Sequence, residues 1–132
     1  MLTLAIDQST PRGSLALLDG ARTVAARDWQ DTRLRNQQLF RVLPAFLKEL
    51  SIRPGDIDLF AVGLGPGSFS GLRISLAAVH GLALPDRRPV RGISSGAAIA
   101  WDAIEAFDTR TVTVVGDARR GRFWTASFEA GI

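Results

Sequence analysis

Residues 59–64, Leu-Phe-Ala-Val-Gly-Leu, carry no polar side chain and run straight into Gly65-Pro66-Gly67-Ser68-Phe69-Ser70-Gly71. A short apolar run closed by glycines is the pattern of a strand buried on both faces of a sheet. Beyond the turn the spacing predicts a helix from about Ser70 to Leu84, and then a second apolar strand, Pro89 to Ile93. A strand that leaves a sheet through a helix returns as a parallel neighbour, so this one feature commits the chain to an α/β fold with crossovers.

The flanking segments fit around that unit. Residues 2 to 6 are β-favouring and end at Asp7, and residues 7–13 are turn-forming. Ser14 to Leu18 reads as a returning strand, Asp19-Gly20 as a tight turn and Thr23 to Trp29 as a third strand. A helix is expected from about Asp31 to Leu50, kinked or broken at Pro44, which has no amide to donate. Arg53-Pro54-Gly55-Asp56 reads as a loop with Asp56 as a cap. Ser94-Ser95 would cap a third helix, Gly96 to about Phe107. The order β-β-β-α-β-α-β-α gives a mixed sheet with helical crossovers. Residues 109–132 read as a further hairpin: Thr111 to Gly116, a turn at Asp117-Ala118-Arg119-Arg120-Gly121, and Arg122 to Glu129. It repeats, loosely, the opening strand–Asp–turn–strand pattern. Duplicated halves of this kind occur in the actin-like fold, so the chain is expected to hold a first lobe, 1–108, and the first hairpin of an incomplete second lobe, 109–132.

Composition narrows the function. The 132 residues hold no cysteine and one histidine, which excludes disulfides, cysteine metal sites and histidine pairs. Neither a signal peptide nor a membrane span is expected, because the first apolar run is short and none approaches ~20 residues. A cytoplasmic protein follows as the expectation. The formal charge is +3, and all but one of the sixteen basic residues are arginine. They are mostly scattered, with short clusters at Arg87-Arg88-x-x-Arg91 and Arg119-Arg120-x-Arg122, so RNA contact is a secondary reading of the charge.

Two groups of residues carry the candidate chemistry. The turn with Gly65, Gly67, Ser68 and Gly71 offers free amides, hydroxyls and the positive end of a helix, which are the elements of a phosphate site. It lacks the Gly-Lys-Ser/Thr ending of a Walker loop, and close packing of a strand-to-helix turn explains the same glycines. Asp7, followed by Gln8, Ser9 and Thr10, fits either an acid that orients a metal or water near phosphate, or an Asp turn bonded to its own backbone. Asp117 is the matching acid of the second hairpin. The second group lies on the helix after the glycine turn. Leu72, Leu76, Val79 and Ala83 are expected on one face and Ile74, Ala77, Ala78 and Gly81 on the other, interrupted only by Arg73, Ser75 and His80. A helix apolar nearly all round is covered on both sides. A partner protein would supply the second cover, unless the other helices or the tail do so. His80 shares a face with the cationic Arg73 and reads as a surface or interface histidine.

The segment Ala61-Val62-Gly63-Leu64-Gly65-Pro66-Gly67-Ser68-Phe69-Ser70-Gly71-Leu72-Arg73-Ile74 closely resembles the signature of the bacterial TsaB (YeaZ) family. The likeness continues through residues 4–10, 81–84, 90–95 and 117–121 and so spans nearly the whole chain. The resemblance implies an actin-like, ribonuclease-H-like fold and a part in making threonylcarbamoyladenosine in tRNA. Members of this family are non-catalytic partners of TsaD, which holds the metal and transfers the threonylcarbamoyl group. They pair with TsaD or with a second copy through their first two helices, with TsaE in a larger complex, and tRNA is contacted through the partner. By resemblance, the interface candidates are Leu39, Phe40, Leu43, Leu47, Leu72, Arg73, Leu76 and Val79, with His80 beside them. No catalytic residue, metal or cofactor is implied. The family often has Thr where Gln8 stands and His where Asn36 stands, and its members usually have a fuller second lobe. The His-x-Glu-x-His-like motif of the catalytic relative has no counterpart here.

Two other readings use the same fold. A ribonuclease-H-type nuclease, such as a Holliday-junction resolvase, needs three or four clustered carboxylates around two metal ions. Only Asp7 is in place for that, and Glu49, Glu105 and Glu129 fall in helix or tail positions. A small nucleotide-binding or phosphotransferase module would need to bind nucleotide with one lobe.

Overall fold

A computed structural model describes residues 1–31 and 38–131. The chain opens with three strands, β1 (Leu2–Asp7), β2 (Arg12–Asp19) and β3 (Arg22–Gln30). Helix α1 (Leu39–Glu49), a short 3-10 turn (Pro54–Asp56) and strand β4 (Leu59–Gly63) follow. Then come α2 (Phe69–Ala83), β5 (Val90–Ile93), α3 (Ser95–Phe107) and the hairpin β6 (Thr111–Arg119) and β7 (Arg122–Glu129). Five strands form one sheet in the order β3-β2-β1-β4-β5, and β6 and β7 form a second sheet. β1 pairs antiparallel with β2 and parallel with β4, and β4 pairs parallel with β5. This is an α/β fold of the actin-like, ribonuclease-H-like type.

Period-two alternation builds the core. Leu4 lies opposite Leu17 and Phe60, and Ile6 lies opposite Leu15 and Val62, so six buried side chains share one face of the central strands. Leu39, Leu43, Phe46 and Leu47 of α1 and Val79 and Ala83 of α2 join the same cluster. On the other face a straight row of alanines, Ala26, Ala16, Ala5 and Ala61, crosses four strands and stays partly open. The strands β1 and β4 end side by side, which brings the two turns that follow them together.

Three expectations need correction. The first helix is expected from residue 31, whereas the described helix is Leu39–Glu49; residues 32–37, and with them Asn36, lie outside the described residues. Nor does Pro44 break it. The helix runs through Pro44, whose missing amide would have served the carbonyl of Phe40, and both residues lie on the solvent side where water can take that bond. On α2 the core stripe is Gly71, Ser75, Val79 and Ala83, at a strict spacing of four. Leu72 is only half-buried and Leu76 is exposed, so these leucines do not share a face with Val79. Asp56 does close a turn: its carboxylate accepts the Arg53 amide at 2.9 Å. The side-chain hydrogen bond from Arg53 holds the Asp56 carboxyl below its ordinary value.

Candidate functional site

The glycine-rich turn and the turn after β1 interlock backbone to backbone. The amide of Ser68 donates to the carbonyl of Ser9 at 2.7 Å. A methyl group on Gly67 would collide with that carbonyl, and one on Gly71 would collide with the carbonyl of Gln8. Gly65 sits at φ 87°, in the left-handed region, and its bond to Pro66 is cis. The close approach these glycines allow is therefore made by the chain's own first turn. Ser68 caps α2, its hydroxyl accepting the Gly71 amide at 3.2 Å.

Asp7 is tied at both oxygens. Oδ1 accepts the Ser9 amide at 2.7 Å, and Oδ2 accepts the hydroxyl of Ser95 at 2.6 Å. The Ser95 oxygen in turn accepts the Gly65 amide at 3.0 Å, and the Ser95 amide donates to the Gly65 carbonyl at 3.0 Å. Gly63 lies against the same carboxylate, where any side chain would overlap it. Ser95 thus joins the ends of β1 and β4 to the start of α3, with Ser94 as the cap that accepts the Ala97 amide. Among the candidates, the structure brings Asp7, Ser9, Gly65, Gly67, Ser68 and Gly71 together. Thr10 is exposed and donates to the Arg12 carbonyl, and Asp117 belongs to the β6–β7 sheet. Asp117 makes the same local turn as Asp7, its Oδ1 accepting the amide two residues on, also at 2.7 Å. Among the described residues no three of His, Cys, Asp and Glu are grouped so that they could hold a metal ion.

Gln8 and Ser75 are functional in packing and carry no obvious signal in sequence. Gln8 is 1% exposed, and its Nε2 donates to the Ser75 hydroxyl at 2.9 Å across the joint between β1 and α2. The Gln8 Oε1 is buried without a partner among the described residues. Breaking one half of such a pair strands the other, while replacing both can be nearly neutral. Gln8→Met and Ser75→Ala are each expected to cost about 1–2 kcal/mol, and the double variant to cost less than their sum by about 1 kcal/mol in urea unfolding.

The second candidate surface is the outer side of α2. Phe69 (72% exposed), Leu76 (38%) and Leu84 (75%) lie there with Arg73, Ala77 and His80. The Arg73 guanidinium sits 5.3 Å from the centre of the Phe69 ring, a cation–π contact on the exposed side of the helix. On α1 Phe40 is 59% exposed, whereas Leu39, Leu43 and Leu47 are in the core, as is Val79 on α2. Phe69 and Leu84 were not among the sequence candidates. They flank the helix at its ends, at the four-residue and eight-residue positions from Arg73 and Leu76 that helical periodicity assigns to the same side.

The family model described as TsaD: tRNA N6-adenosine threonylcarbamoyltransferase matches residues 32–131. The tRNA threonylcarbamoyladenosine biosynthesis protein TsaB of Escherichia coli (strain K12) is 33% identical over 129 residues, covering 98% of this chain and 55% of the relative. The protein of the same name from Bacillus subtilis (strain 168) is 30% identical over 132 residues, covering 98% and 56%. The solved structure of YeaZ from Pseudomonas aeruginosa superposes with a TM-score of 0.88 at 32% identity, over 97% of this chain and 60% of that one. The chain therefore spans about half the length of these curated relatives. A ROK family protein from Streptococcus pneumoniae shares the fold alone, at 14% identity and a TM-score of 0.55.

Proposed function

The chain belongs to the family described as TsaD: tRNA N6-adenosine threonylcarbamoyltransferase, and from its likeness to the TsaB proteins within that family we propose that it is a partner subunit without chemistry of its own. It docks a TsaD-type transferase in the cytoplasm and so serves the synthesis of threonylcarbamoyladenosine in tRNA. The observation that carries this reading is the outer face of α2. Phe69, Leu76 and Leu84 remain exposed on a helix whose other side is buried in the core, and a helix face of that kind is suited to another helix. Arg73 beside Phe69 adds the cationic and aromatic pairing that recurs at the centres of protein interfaces. Leu72, half-buried, borders the surface and Phe40 is a second exposed apolar side chain, on α1, while Leu39, Leu43, Leu47 and Val79 lie in the core.

The other group of candidates supports the same reading from the opposite side. Both oxygens of Asp7 are taken up by Ser9 and Ser95, and the glycine turn is filled by the Ser9 and Gln8 carbonyls. These residues act as a joint that fixes the amino end of α2, and the joint sets the angle at which the docking face is presented. A second copy of the chain is the competing occupant of the same face, and TsaE would belong to a larger complex. Light scattering on the chain alone and mixed with a TsaD-type transferase tests the proposal. A mixed complex at micromolar concentration is the expected result, and two unmixed species would refute it.

A further inference from the structure

The tip of the β6–β7 hairpin carries Arg119, Arg120 and Arg122 within four residues, all exposed. None of the three has an ion-pair partner among the described residues. Arg119 lies directly opposite Arg122 in the ladder, an arrangement of like charges that costs stability. Arg119 and Arg120 also adopt left-handed backbone, φ 62° and 55°, which side chains other than glycine seldom take. Asp117 fixes that shape by accepting the Arg119 amide where the register slips, and its carboxylate makes no ion pair with the guanidinium groups. The left-handed backbone is what a two-residue hairpin turn requires, whereas like charges gathered at one exposed tip without a counter-charge among the described residues favour an anionic ligand.

Beside the arginines stands Phe123, which is 74% exposed. It faces Asp117 across the ladder, on the side of the ribbon turned away from α3. The inner side is occupied by Trp124, packed on Gly116, and by Phe128, which with Trp124 lies over Gly96 of α3. That packing gives the two-stranded ribbon a rigid back. The ribbon therefore carries one free aromatic ring on its front and three uncompensated guanidinium groups around its tip, with Arg119 and Arg122 starting, by register, from the Trp124 side.

We infer that this hairpin tip binds unpaired RNA, with phosphates on Arg119, Arg120 and Arg122 and a base stacked on Phe123. Guanidinium groups alone would hold any polyanion, but a stacking ring next to them selects an unpaired base over a duplex. The choice of RNA rests on the reading above, in which the chain serves a tRNA-modifying transferase. The site lies on the β6–β7 sheet and the docking face on helix α2, so the two can fail independently.

Fluorescence anisotropy with the chain alone tests the inference, using a labelled RNA stem–loop and a blunt RNA duplex of the same length. Tighter binding of the stem–loop is expected. The triple variant Arg119→Gln, Arg120→Gln, Arg122→Gln should lose about tenfold or more in affinity, and its log–log salt slope should fall by about 2, from three phosphates at ~0.7 each. Phe123→Ala should weaken the stem–loop about tenfold and leave the duplex unchanged. Arg41→Gln, an exposed arginine on α1, is the control and should bind as the parent does. Circular dichroism verifies that each variant is folded. The inference is overturned if the triple variant binds like the parent, or if Arg41→Gln loses as much. Equal loss on both RNAs for Phe123→Ala would also overturn it, as would a poly-glutamate peptide that binds the tip as well as RNA does. Complex formation with the transferase, measured separately, is unaffected by any of these results.

Discussion

Gly71→Ala is expected to destabilise the chain by about 3 kcal/mol, although alanine in an exposed helix is favoured over glycine by about 1 kcal/mol. The sign reverses because of what lies outside the helix. A methyl group on Gly71 would be driven into the carbonyl of Gln8, and that carbonyl is main chain that cannot swing aside. Gly67→Ala meets the Ser9 carbonyl in the same way, so either substitution must push the β1 turn and the start of α2 apart. Separation would also break the Ser68–Ser9 backbone bond and the Gln8–Ser75 bond, both of which cross the same joint. Urea unfolding of Gly71→Ala beside Gly81→Ala measures this. Gly81 has open space around it and should gain stability from the same change. Equal effects at the two positions would show that the joint is loose.

Leu76→Arg should abolish docking while leaving the fold intact. Leu76 is 38% exposed on the middle of the α2 face, so the long arginine side chain can turn to solvent in the free chain and cost less than about 1 kcal/mol of stability. In a complex the same charge would be buried against apolar groups without a partner. That penalty corresponds to a loss of affinity of about 100-fold or more. Val79→Arg is the informative contrast, because Val79 lies in the core and its replacement should unfold the chain rather than release a partner. A titration of transferase into each variant, with thermal melts run in parallel, separates the two effects.

Much of this arrangement was legible from local pattern. The apolar run before Gly65 identified a buried parallel strand, and Ser94 of the expected Ser94-Ser95 pair caps the third helix. The β-favouring residues of the first strands and the turn-forming segments between them were enough for the antiparallel opening. What escaped was long-range polar pairing. Ser75 reads as a break in an apolar helix because its partner, Gln8, is 67 residues away in sequence. Ser95 reads as a cap and is in fact the residue that ties Asp7, 88 positions earlier, to the glycine turn. A helix apolar on nearly all sides gives periodicity little contrast, so the core stripe through Gly71, Ser75, Val79 and Ala83 could not be told from the outer one. The hairpin turn was visible as an arginine cluster, but the free ring of Phe123 emerges only when the strand register is known.

Docking of a TsaD-type transferase on the outer face of α2 is open to a direct test. Solution mass of an equimolar mixture, by light scattering coupled to size exclusion, tests it most directly with the parent chain and Leu76→Arg side by side. One mixed species is expected for the parent and two separate species for the folded variant. A mixed complex that persists unchanged with Leu76→Arg would contradict it and place the contact elsewhere on the chain.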